Sequence, residues 1–271
     1  MCATPNSGSV LRLSGADPFR RRGRVWLLCL CWLCAQAGAA ETNLISTNLV
    51  PAKISPGERL DKQLRTARTQ FLADTNNAIY AWQLGRACFE WNENLKDPNQ
   101  QEKFAKEGIA ASRQAVALAP PSAPAHYYLG LTLGQFADTK RNMAALKMVK
   151  EMEREFQTTR ELDEHFDFGG ADRNLGLLYH QAPTLISIGS RSKARLHLQR
   201  AVELAPEFPE NRLNLIETLL EWGDHADARR ELKALEKIWP DAEKNFSGET
   251  WADAWAEWKK RRDRLRESVR H

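Results

Sequence analysis

From residue 55 onward the apolar positions recur at helical spacing. Leu60, Leu64, Ala67 and Phe71 mark one side of a first helix. Ser55-Pro56-Gly57-Glu58 opens it as a capping box with Pro in the first turn. Ala145, Val149, Met152 and Phe156 hold one face of a helix around 141–164, and Trp251, Trp255, Trp258, Leu265 and Val269 stripe a last one. Between them the pattern repeats. Pro206 and Pro240 are 34 residues apart, as are Ala194 and Ala228, Leu198 and Leu232, and Ala201 and Leu235. One helix of each unit carries Leu84-Gly85, Leu129-Gly130, Leu175-Gly176 or, with Gly lost, Leu215-Ile216, followed three residues on by Cys88, Leu133, Tyr179 or Leu219. The second helices close at Ala115…Pro120, Ala201…Pro206 and Leu235…Pro240. The expectation is a chain of helix–turn–helix units.

A period of 34 residues with these small and large apolar positions resembles the tetratricopeptide repeat (TPR), over roughly residues 76–240. The fold class expected is all-α: a TPR α-solenoid of stacked antiparallel helix hairpins, with N-terminal and C-terminal capping helices. Gly and Ala let paired helices approach, Pro ends the second helix, and stacking buries the apolar stripe that a lone hairpin leaves open. Gly176, at a helix contact, should therefore resist a large side chain more than Gly189, in a loop. The expected organisation is a signal peptide over 1–40, an extended segment over 41–55, about four repeat units over 56–240, and a capping helix with a basic end over 241–271. The Leu anchors 84, 129, 175 and 215 lie 45, 46 and 40 residues apart, which places insertions near 92–104, 140–166 and 180–190.

The repeat register also names a candidate binding face. In such repeats, positions two, five, nine and twelve of each first helix line the concave side. Here these include Ile79, Trp82, Arg86 and Phe89 in the first unit, and Tyr127 and Leu131 in the second. The third unit gives Gly170, Arg173, Leu177 and His180, and the fourth gives Glu210, Leu213, Glu217 and Leu220. Aromatic and Arg side chains are the usual anchors of an interface, so a protein partner is expected on this face. The competing arrangement, with helix 56–73 laid in the groove, would make the same residues core. In the third insertion Pro183, Ile186, Ser187, Ile188 and Gly189 belong to a loop that either binds a partner or plugs the fold.

Charge changes the picture little. Arg12, Arg20, Arg21, Arg22 and Arg24 against Asp17 give residues 1–40 the whole net charge of +4, so the remainder is balanced and nucleic acid is not an expected partner. The basic cluster precedes the apolar run 25–35 and the small residues Ala37, Gly38, Ala39 and Ala40, the order of a secretory signal. Cleavage is expected near Ala39 or Ala40, leaving an exported, periplasmic chain without a transmembrane helix. Cys29 and Cys34 each follow Leu, a poor fit to lipidation, so lipid anchoring is not expected. Four of the five Cys fall in this segment, so Cys88 has no disulfide partner in the mature chain.

No phosphate-binding loop, nucleophile elbow, H-E-x-x-H or C-x-x-C occurs after residue 40. Asp163, His165, Asp167 and Asp172 have the wrong spacing for a calcium loop, where Gly would stand in place of Phe168, and they are expected to be turn and cap residues. No enzyme activity, cofactor or metal is expected.

The run Leu162-Asp163-Glu164-His165-Phe166-Asp167-Phe168-Gly169-Gly170-Ala171-Asp172-Arg173, with Leu175-Gly176-Leu177-Leu178-Tyr179, Ala182-Pro183, Ser187-Ile188-Gly189 and the stretch Ala194 to Pro206, resembles the T component of TRAP transporters. The resemblance implies a periplasmic TPR protein associated with a substrate-binding protein, and oligomerisation around a hydrophobic channel. The chain departs from that family in lacking its lipidation Cys. The same helix pattern also resembles the regulator-of-microtubule-dynamics TPR family, against whose cytosolic role the export signal argues. The function expected is non-enzymatic protein binding; the alternative is carriage of an apolar small molecule or lipid in an inner channel.

Overall fold

The computed structural model describes residues 55–139 and 143–269. The expected signal peptide, its cleavage site and the segment up to residue 54 lie outside the described residues. The remainder is all-α and runs α1 (Pro56–Ala73), α2 (Ala78–Asn92), α3 (Pro98–Leu118), α4 (Ala123–Thr139), α5 (Met143–Leu162), α6 (Phe166–Gln181), α7 (Arg191–Leu204), α8 (Pro209–Glu221), α9 (His225–Asn245), a 3-10 turn (Glu249–Trp251) and α10 (Ala252–Ser268). Pairs α2/α3, α4/α5, α6/α7 and α8/α9 are the four hairpins. Successive pairs stack, with α1 before the first and α10 after the last. This is a TPR-type solenoid.

The sequence signals work locally as expected. Ser55 accepts from the Glu58 amide at 3.3 Å and the Glu58 carboxylate accepts from the Ser55 amide at 2.9 Å. The Leu-Gly anchors sit where the two helices of a hairpin meet: a Cβ on Gly130 would lie 2.6 Å from the Phe156 ring, and one on Gly176 2.6 Å from Leu198. Leu64 and Ala67 of α1 are buried with Leu84, Ala87, Cys88 and Ala111.

Two boundaries differ. The first insertion is largely helix: Asp97 caps α3 and Pro98 starts it, so only a short link follows Asn92. Pro240 does not end α9, which continues to Asn245. Proline inside a helix costs roughly 3 kcal/mol. Here Trp239, Ala242 and Phe246, all buried on one face, join Trp251, Trp255 and Trp258 in the C-terminal core and offset that cost. The boundary expected at 240 therefore falls within α9, and the cap begins after Asn245.

Candidate protein-interaction surface

The inner face of the array is mostly filled. Phe89, Tyr127, Leu131, Arg173, Leu177 and Leu213 are buried, so these positions are interior and not an open lining. The filling does not come from α1, which packs on the first hairpin through Leu64 and Ala67. It comes from neighbouring repeats and from α10. Leu213 lies in the C-terminal core. The Trp258 indole donates to the Glu210 carboxylate. Arg261 donates to Glu210 at 2.6 Å, Asn214 at 2.6 Å and Glu217 at 2.7 Å. Burial opposes the Arg261 charge, yet the two carboxylates override it and hold the guanidinium more firmly protonated than usual. Glu217, expected to meet a partner, is thus engaged within the chain.

At the second and third units the interior is polar. The Asp167 carboxylate accepts from the Tyr127 hydroxyl and from Arg173. Arg173 also donates to Asn211 Oδ1 at 2.9 Å, and Asn174 Nδ2 donates to the Tyr127 oxygen at 3.1 Å. This network holds a left-handed backbone at Asp167 (φ 51°), Phe168 (φ 56°) and Gly169 (φ 73°). Each non-glycine residue there costs about 1–2 kcal/mol. Asn211 Nδ2 donates to the Phe168 carbonyl at 2.9 Å, and the Phe168 ring stacks on Phe208 at 4.4 Å. The surroundings therefore over-determine the turn. Asp167, expected as a turn or cap residue, is an interior partner of Arg173. Asp172, expected likewise, is buried with its carboxylate hydrogen-bonded to His197 Nδ1 at 2.6 Å.

Three hairpins carry a polar pair at one register position, a feature that the sequence reading missed. His126 of α4 meets Glu155 of α5, Asp172 of α6 meets His197 of α7, and Arg212 of α8 meets Glu231 of α9. The three first-helix members lie three residues before Leu129, Leu175 and Leu215. His126 Nδ1 is 2.6 Å from Glu155, and its Nε2 is 2.8 Å from the Pro120 carbonyl oxygen. Both neighbours accept, so both ring nitrogens donate and the imidazolium is favoured. The hydrogen bond to Glu155 raises the His126 pKa against the opposing effect of burial. For Glu155 burial acts upward, but His126 and Arg154 outweigh it and lower the value.

What remains open of the expected face is the first repeat. Ile79 is 55% exposed, and Trp82 is half-buried, its ring stacked on Tyr128 at 5.8 Å. Arg86 beside them pairs with Glu90 at 2.7 Å. His180 lies far along the chain at the end of α6, bonded to Glu221 at 2.9 Å and edge-on to Trp222. In the third insertion Ile188 packs on the second core cluster, Pro183, Ser187 and Gly189 are half-buried, and Ile186 is exposed beside Leu185. The loop is thus anchored at its base and open at its tip. Gly189 is not roomy: a Cβ there would fall on the Ala182 carbonyl oxygen, which overturns the expectation that Gly176 is the less tolerant of the two.

Among the described residues no helix is long and apolar enough to cross a membrane, and no group of three His, Cys, Asp or Glu could hold a metal. Cys88 is buried, and burial raises its thiol pKa far above the usual range.

A family model described as regulator of microtubule dynamics protein 1-3 matches residues 55–167, fewer than half of the chain. No curated protein sequence matches. Among solved structures, MamA is 17% identical with a TM-score of 0.48, covering 71% of this chain and 99% of that one. YrrB, a TPR protein with an unusual peptide-binding site, is 19% identical with a TM-score of 0.45, covering 76% and 91%. TTC0263, a thermophilic TPR protein in Thermus thermophilus, is 18% identical with a TM-score of 0.46, covering 76% and 98%.

Proposed function

We propose that this chain is an exported, non-enzymatic adaptor that holds a protein partner on the inner face of its first repeat. The observation that carries the reading is the contrast in burial along that face. Ile79 is exposed and Trp82 half-buried beside the Arg86–Glu90 pair, while the equivalent positions in the third and fourth repeats are buried. An aromatic ring, an aliphatic side chain and a paired guanidinium form a compact anchor of the kind that carries binding energy. The family model described as regulator of microtubule dynamics protein 1-3 matches residues 55–167, which include this repeat. The finer reading, a periplasmic partner that is the substrate-binding protein of a TRAP-type transporter, is supported by the resemblance over about residues 162–240 and by the export signal. The packed inner face argues against carriage of a lipid through a channel.

The test is affinity capture from the exporting cell with wild type and Ile79→Asp, alongside the intact mass of the mature chain. Ile79 is exposed in the first turn of α2, where an acid favours the helix, so the variant should fold. Loss of the captured partner with unchanged melting supports the reading. Equal capture by both proteins overturns it, and a mass that retains residues 1–40 overturns export.

A further inference from the structure

Among the asparagines of the chain, Asn245 alone is followed two places on by Ser or Thr, as Asn245-Phe246-Ser247. Asn-x-Ser, with x other than Pro, is the acceptor pattern for N-linked sugar in an exported chain. The pattern carries weight only where the fold leaves the asparagine room for a bulky, hydrated group. Here it does. Asn245 is the last residue of α9, and Phe246 to Gly248 lead the chain into the 3-10 turn that begins at Glu249. Asn245, Ser247 and Gly248 are exposed, while Phe246 between them is buried.

The burial of Phe246 sets the direction of its neighbours. Its ring centroid lies 5.4 Å from that of Phe208 and 4.9 Å from that of Trp251, and its carbonyl accepts from the Trp255 indole. With Phe246 pinned into the C-terminal core, Asn245 and Ser247 are left on the outer corner between α9 and α10. Gly248 continues the corner at φ 93°, a conformation that glycine takes without strain. Asp241, Glu243 and Lys244 beside it are exposed, so the surrounding surface is polar. Glu243, two residues before Asn245, adds a carboxylate that a cationic transferase site can hold in register. A sugar on Asn245 displaces no buried contact.

We propose that Asn245 carries an N-linked oligosaccharide, attached as the chain is exported. The proposal rests on the export reading, because the sugar donor is met on the far side of the exporting membrane. The step is a group transfer without oxidation or reduction. The Asn245 amide nitrogen bonds to C1 of the first sugar of a lipid-linked oligosaccharide pyrophosphate. The bond from C1 to the pyrophosphate oxygen breaks, the amide gives up a proton, and the lipid pyrophosphate leaves. The Ser247 hydroxyl is the second point of recognition. A transferase reaches Asn245 and Ser247 together only while Phe246 is out of the core, so the transfer precedes the closing of the C-terminal cap. It uses neither Ile79 nor Trp82.

The experiment is the intact mass of the full chain recovered after export from its own cell, for wild type, Asn245→Gln, Ser247→Ala and Ser247→Thr. Both positions are exposed, so helicity and melting should match wild type. Wild type should exceed the mass of the mature polypeptide by a series of sugar masses, all carried on the peptide that contains Asn245. Asn245→Gln and Ser247→Ala should show the polypeptide mass alone. Ser247→Thr should keep the sugar, because threonine supplies the same hydroxyl. A bare wild type that has lost residues 1–40 overturns the modification and leaves export standing, whereas a bare wild type that retains them overturns both. Sugar that survives in Asn245→Gln, or that is lost in Ser247→Thr, also overturns the proposal.

Discussion

The two ends of the array solve the same problem with different side chains. At the C-terminal end, α10 lies on α8 and brings Trp255, Trp258 and Arg261 against Leu213, Glu210 and Glu217. Phe208, Phe246, Trp251 and Trp258 have ring centroids 4.9–6.3 Å apart, a continuous aromatic core. At the N-terminal end, α1 meets the first hairpin through Leu64, Ala67, Leu84, Ala87, Cys88 and Ala111. Four of those six are Ala or Cys, the rings of Phe71, Trp91 and Phe104 that pack against them are only partly buried, and the seam leaves a cavity and the exposed Leu72. A solenoid needs both ends covered. Here one cap is sealed by large rings and buried charge, and the other is left accessible. The candidate surface follows that division, since Ile79 belongs to the lightly covered end.

The largest test of the contrast is Arg261→Ala. Glu210 is 2% exposed, and losing Arg261 strands its carboxylate in the interior. Breaking a buried pair from one side costs about 3–5 kcal/mol. Chemical denaturation should show a loss in this range. Leu64→Ala, at the other end, should cost about 2–3 kcal/mol, near the bottom of the range for buried leucines, because the neighbouring cavity shows that seam to be loosely packed already. A cost for Leu64→Ala above that for Arg261→Ala would reverse the ranking of the two ends.

Next in size is overpacking in the middle of the array. Gly189→Leu forces a side chain to within 2.0 Å of the Ala182 carbonyl oxygen, which cannot rotate away, whereas Gly176→Leu meets the Leu198 side chain at 2.6 Å and its backbone nitrogen at 3.0 Å. Both should destabilise by about 1–3 kcal/mol or more, with Gly189→Leu at least as costly in thermal melts. The loop glycine looked permissive in the sequence because it falls in the inserted stretch between two helices. The tight return of the loop onto Ala182 is a tertiary fact with no local signal.

That failure has the same root as the larger one. The Leu-Gly anchors, the capping box and the Trp stripe were legible because each is set by contacts within a turn or between the two helices of a hairpin. The inner face was legible as a register but not as a surface. Whether Tyr127, Arg173 and Leu213 line a groove or a core depends on how closely successive repeats pack, and on α10 occupying the place of a following first helix. The polar pairs at His126, Asp172 and Arg212 share one register position, yet their chemistry alternates from His to Asp to Arg, so no residue-type period marks them. The unbroken path of α9 through Pro240 was hidden for a related reason: the aromatic core that holds it is assembled from residues up to Trp258.

The pH response of the central hairpin tests whether the buried pair between the two ends behaves as its geometry requires. His126 has its pKa raised above an ordinary value of 6.5, so its contribution is complete below that value and is lost as pH rises through the folded-state pKa. Glu155 has its pKa lowered from 4.5, so its contribution is present above that value and is lost on acidification. The pair therefore supports the fold best between about 4.5 and 6.5, and melting temperature should decline on both sides. His126→Gln should flatten the alkaline decline. An unchanged alkaline slope in that variant would remove His126 as its cause.

The smallest effect is expected where the two ends touch. Arg59, in the first turn of α1, donates to the Glu249 carbonyl at 2.8 Å and pairs with Asp253 at the start of α10. Both side chains are partly exposed, and a pair of this kind contributes at most about 1 kcal/mol. Arg59→Ala should therefore leave the melting temperature almost unchanged. The link nevertheless joins residues 190 and more positions apart in sequence, the first turn of α1 to the start of α10. If it restrains the accessible end, hydrogen exchange in Arg59→Ala should quicken at the first turns of α1 and α10 while the core of α8 keeps its protection, because the aromatic seal does not depend on Arg59. Equal exchange in both proteins would mean that the ends are independent, and that the sealed cap lends no rigidity to the open one.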